Sequence, residues 1–114
     1  MAMMQYSLEG DVDAFVRHVD RAITTGSVTA KLEAGADRSL GGARMIVRAY
    51  ERYSWFGGNR VALTLSILAV GTEMIVTAVA TGGSQAMFFK INHFGEDAFL
   101  DRAVEAINSF VPGR

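Results

Sequence analysis

The stretch RVALTLSILAVGTEMIVTAVAT, residues 60–81, decides the fold. Val61, Leu63, Leu65, Ile67 and Ala69 occupy every second position, and beyond Gly71-Thr72 the alternation resumes with Met74, Val76, Ala78 and Ala80. A period of two marks strands with one covered face. Gly71-Thr72 suits a two-residue hairpin turn with glycine first. That turn pairs Val70 with Glu73, Ala69 with Met74, Ile67 with Val76 and Leu65 with Ala78, so apolar residues meet along one whole face.

Upstream, residues 43–55 read as a further strand. A three-residue Phe56-Gly57-Gly58 loop pairs Trp55 with Asn59, Ala49 with Leu65 and Val47 with Ile67. This register puts Met45, Val47 and Ala49 on the covered face. A slip of one residue would exchange the two faces of that strand. The opposite face then carries Ile46, Arg48, Tyr50, Leu68 and Ile75, with Arg52, Ala62 and Thr81 in its last row. Such a mixture is too apolar for a purely solvated surface, and it suits contact with a second copy of the chain. A homodimer through these residues is expected.

The flanks complete an α+β domain spanning residues 1–114. Met4, Tyr6 and Leu8 alternate with polar residues as a first strand. Asp11 is placed to cap a helix whose stripe is Val12, Phe15, Val16, Val19 and Ile23, with Gly26 as its stop. Alternation at Val28, Ala30, Leu32 and Ala34 gives another strand, and GADRSLGG (35–42) reads as a loop. A shorter extended run covers 85–91, as strand or loop. Phe99, Leu100, Ala103, Val104, Ile107, Phe110 and Val111 form the stripe of a C-terminal helix, which Pro112 and Gly113 end. The order is β-α-β-β-β-β-(β)-α, an antiparallel meander packed on two helices. By topology it resembles the TATA-binding-protein-like and Bet v 1-like helix-grip folds, a likeness that carries no function by itself.

Composition excludes several classes. Eleven basic and twelve acidic residues leave a net charge of −1, against broad binding to nucleic acid or anionic lipid. With no cysteine, disulfides and thiolate chemistry are absent. His18 and His93 are the only histidines, and no metal or other cofactor is expected. Glu96, Asp97, Asp101 and Glu105 read as the solvated, N-terminally acidic face of a helix rather than a metal cluster. No apolar run approaches a bilayer span, and residues 1–10 lack signal-peptide character, so a cytoplasmic setting is expected.

The two glycine-bearing turns after residues 55 and 82 fall at one end of the sheet. They gather Tyr53, Trp55, Phe56, Asn59, Arg60, Ser84 and Gln85, a plausible mouth for a small, partly apolar ligand. Tight hairpins and an aromatic cap over the core are the plainer explanation of the same residues. The Arg44, Arg48 and Arg52 series with Tyr50 is a weak nucleic-acid signal, better read as cross-strand pairing to acidic neighbours. A catalytic site built from Arg52, Arg60, Gln85 and His93 is the least supported reading, and no enzyme is expected.

Three segments, 50–60 (YERYSWFGGNR), 82–92 (GGSQAMFFKIN) and 95–100 (GEDAFL), together resemble a family of short bacterial proteins of unknown function, mostly from Gram-positive anaerobes. The resemblance spans nearly the whole chain. It implies a bacterial, cytoplasmic protein and brings no activity or site residues with it. The sequence thus favours a non-enzymatic binding domain for a partly apolar small molecule, with a homodimeric interaction module as the alternative.

Overall fold

The computed structural model describes residues 2–25, 29–53, 60–82 and 93–111, with backbone alone for 93–98. Five strands and two helices follow in the order β1 (Ala2–Glu9), α1 (Val12–Thr25), β2 (Lys31–Leu40), β3 (Ala43–Tyr53), β4 (Arg60–Val70), β5 (Glu73–Gly82) and α2 (His93–Asn108). The fold class is α+β. The strands form one antiparallel sheet in the order β1-β5-β4-β3-β2. The extended run expected at 85–91 and the helix stop at Gly26 lie outside the described residues.

The β4–β5 hairpin has the expected register, with Val70 opposite Glu73 and Leu65 opposite Ala78. Gly71 takes the left-handed φ of 61° that the tight turn requires. Leu63, Leu65, Ile67, Ala69, Met74, Val76, Ala78 and Ala80 are all buried on one face. α2 packs over β5, β4 and β1, while α1 lies toward the β2 side and touches α2. Phe15 of α1 meets Phe110 edge-on, with ring centroids 5.1 Å apart. At the start of α1 the Ala14 N–H donates to Asp11 Oδ2 at 2.8 Å, the expected cap.

The register of β3 differs from the sequence reading by one residue. Tyr53 pairs with Arg60, Arg48 with Leu65 and Ile46 with Ile67. Ile46 and Tyr50 are therefore buried under the helices, and Arg44, Arg48 and Arg52 share their face. Met45, Val47 and Ala49 move to the open face, so the expected covered face was right for β4 and β5 and wrong for β3. Ile46, Arg48 and Tyr50, expected on the open face, lie on the covered one. Only Leu68 and Ile75 of that group are exposed. The reason is α1: its carboxylates point at β3 and give two of these arginines and the tyrosine partners they would lack outside.

The span 35–42 is not a loop. β2 continues to Leu40, and only Gly41-Gly42 turns, pairing Leu40 with Ala43. Every residue of β2 is exposed, because it is an edge strand that the helices leave uncovered. With neither face buried, its 35–40 stretch had no alternation to show.

Candidate functional site

Three arginines stand four residues apart on the covered face of β3, and their surroundings differ. Arg44 donates to Asp37 of β2 (Nη2 to Oδ2, 2.6 Å) and to Asp13 of α1 (Nη2 to Oδ1, 2.9 Å). These bonds hold both carboxyls below the usual aspartate range and push the guanidinium further up. Arg48 donates through Nε and Nη2 to Asp20 of α1, and the Tyr50 hydroxyl donates to the same carboxylate. Burial, reinforced by that hydrogen bond to Asp20, raises the Tyr50 hydroxyl well above a free tyrosine. Gly35 makes room for this pair: a Cβ there would stand 2.9 Å from Arg48 Nη1 and 3.2 Å from the Val47 carbonyl oxygen.

Among the described residues Arg52 has no such partner. It is half-buried and lies over the Phe99 ring of α2, 4.6 Å from Cζ to the ring centroid. Among the described residues no carboxylate, carbonyl or hydroxyl accepts a hydrogen bond from it. Burial, and then the charge of Arg102 on α2, lowers its pKa. Arg102 itself donates to Glu105 at 3.2 Å.

Helix geometry explains the difference. Asp13 and Asp20 are seven residues apart on α1, an advance of about 10.5 Å. Arg44 and Arg48 are four apart on β3, about 13 Å. The two series run side by side in the same direction. The next position at the seven-residue spacing of the acids is 27, which the sequence fills with serine. The acid series stops one step before the arginine series does.

Of the residues expected to form a ligand mouth, Tyr53 and Arg60 are brought together, Arg60 lying 5.4 Å over the Tyr53 ring. Arg60 is already engaged, donating to Glu51 at 2.7 Å. Tyr53, Arg60, Glu51, Lys31 and Arg52 contribute to an open cleft of about 450 Å³ at this end of the sheet. Trp55, Phe56, Asn59, Ser84 and Gln85 lie outside the described residues, so their part in this end of the sheet is not assigned. The sequence signal that could have singled out Arg52 is the mismatch between the 13, 20 and 44, 48, 52 series.

The chain matches, over residues 1–111, the model of a family of unknown function, DUF6054. It belongs to that family. No curated protein and no solved structure matches it. The family brings no activity, so the chemistry must be read from the side chains themselves.

His18 invites a catalytic reading, because its Nε2 lies 2.8 Å from Ser109 Oγ. The same nitrogen lies 2.9 Å from the Ala106 carbonyl oxygen, which only a protonated nitrogen can approach as a donor. Ser109 Oγ also donates to that carbonyl at 3.0 Å. A nitrogen already donating cannot take the serine proton. The histidine therefore ties α1 to the last turn of α2 and satisfies one of its free carbonyls. Among the described residues no group of three or more His, Asp or Glu could hold a metal, and no helix is long and apolar enough to cross a membrane.

Proposed function

We propose that this protein is a non-enzymatic, helix-grip binding domain that holds a small molecule with one anionic group and an apolar body between the end of β3 and α2. The observation that carries this reading is Arg52: a half-buried guanidinium on an aromatic ring, with no acceptor among the described residues. A desolvated, unpaired cation is a standing cost to the fold. A carboxylate or phosphate oxygen arriving beside Arg52 would relieve that cost through charge-assisted hydrogen bonds, and Arg102 nearby would add to the attraction. The open cleft beside Arg52, with Ala30 and the Tyr53 ring in its lining, offers a surface for the rest of the ligand. The order β-α-β4-α, with α2 laid across the sheet, supports the helix-grip assignment. A cysteine-free sequence is consistent with a bacterial cytoplasmic setting.

Native mass spectrometry of the protein purified from a bacterial host, against its denatured mass, tests this. The wild type is expected to carry extra mass that denaturation releases, and Arg52→Met to lose it. A wild type without any adduct, or an adduct that Arg52→Met retains, would sink the reading.

A further inference from the structure

The open face of the sheet bears a pattern of its own. With β3 in its observed register, no arginine of the 44, 48, 52 series reaches it, and Met45 joins Leu68 and Ile75 in one row across three strands. These three are 44%, 48% and 49% exposed, and no helix covers them. In the next two rows toward the other end, β2 to β5 hold small or β-branched residues, such as Ser66 with Val47 and Thr64 with Ala49, and β1 adds Gln5 and Met3, a surface without charged side chains.

At the end of the sheet that holds the β4–β5 turn, charge on this face is segregated by edge. Glu9 of β1 and Glu73 of β5 stand opposite one another at one side. Arg38 of β2 stands at the other, in register with Met45. All three are exposed, and among the described residues none makes an ion pair, whereas Arg44, Arg48, Arg60 and Arg102 all do. β4 is the middle strand, with two strands on either side. A two-fold axis along β4 would bring the β1 edge of one copy over the β2 edge of the other. The acidic side of each copy would then meet the basic side of its mate.

We infer that the open face is the interface of a homodimer with its two-fold axis along β4. Leu68 meets the mate's Leu68, Ile75 meets Met45, and Arg38 stands over Ser7, one row along from Glu9 and Glu73 and within reach of them for a side chain of its length. The size is right for a stable pair. Five strands about 4.8 Å apart, eight to eleven residues long, present roughly 700 Å² of face. A standard interface takes about 800 Å² from each partner. Two sheets packed face to face keep their strands within about 30° of each other, as an axis along the central strand requires. This interface is separate from the Arg52 site on the covered face and stands or falls without it.

Sedimentation velocity at about 100 μM chain, far above the Kd usual for an interface of this size, tests the assignment. The wild type is expected to sediment as a dimer and Leu68→Lys as a folded monomer. Arg38→Glu should weaken the dimer about tenfold or more by setting like charges together. Adding Glu9→Lys to Arg38→Glu should restore much of the loss. A monomeric wild type, or a dimer that Leu68→Lys leaves intact, overturns the interface. A dimer that breaks with Leu68→Lys but shows no rescue in the double variant overturns the axis along β4. Circular dichroism of each variant separates dissociation from unfolding.

Discussion

Arg44 and Arg48 lie at one end of a row, Arg52 at the other, on one face of one strand. The first two meet carboxylates from the neighbouring helix and strand. Arg52 meets an aromatic ring and a second arginine's field. The difference teaches that the same residue type can serve two ends. Where α1 runs alongside, arginine fastens the helix to the sheet. Arg52, toward the other end of the strand, lies instead over Phe99 of α2, where we propose that it meets an anion.

The comparison rests first on the register of β3. Ile46→Lys should cost more than about 4 kcal/mol and abolish folding, because it buries an unpaired charge at a site 3% exposed. Met45→Lys, one residue away on the open face, should stay within about 0.5 kcal/mol of the parent in dilute solution. Chemical denaturation of the two variants measures this, and equal losses would reverse the assignment of faces.

At the fastened end, Asp20→Ala removes the acceptor of both Arg48 and Tyr50. A loss of about 3 kcal/mol is expected, since a half-buried guanidinium and a buried hydroxyl are left unpaired. Asp20→Asn, which keeps one acceptor oxygen, should lose less by the same unfolding assay.

Arg44 gives the smallest effect. Its bonds depress Asp13 and Asp37, so the folded carboxyls hold their protons less tightly than the unfolded ones. That contribution is complete above the usual aspartate pKa, near pH 4, and fades as pH falls through the lower folded values. Stability measured between about pH 5 and 2 should therefore fall less steeply in Arg44→Gln than in the parent. Both acids are well exposed, so the change should be slight.

How much of this was legible in the sequence depended on whether a residue had one covered face. β4, β5 and the α1 stripe announced themselves through Leu63, Leu65, Ile67, Val76, Phe15 and Val19, because each alternation is imposed by burial. β2 could not, since its GADRSL segment is exposed on both sides. The faces of β3 were ambiguous because both alternations contain apolar residues: Met45, Val47 and Ala49 on one, Ile46 and Tyr50 on the other. Turn length chose wrongly between them. The acids of α1 would have chosen rightly, as Asp13 and Asp20 match the spacing of Arg44 and Arg48. Tyr53 and Arg60 were expected together at one end of the sheet, and the structure pairs them there. Arg52 was assigned to the wrong face by the same one-residue slip.

The most direct test of the claim that Arg52 is kept for a ligand is urea unfolding of Arg48→Met and Arg52→Met, each refolded from denaturant so that nothing bound is carried through. Arg48→Met should lose about 2 kcal/mol, because Asp20 keeps only Tyr50 as a donor. Arg52→Met should stay within about 1 kcal/mol of the parent, because it removes a desolvated cation together with a contact to Phe99 worth about 2 kcal/mol, the one offset among the described residues. An Arg52→Met variant that falls as far as Arg48→Met would contradict the account, making Arg52 a structural clasp like its two neighbours.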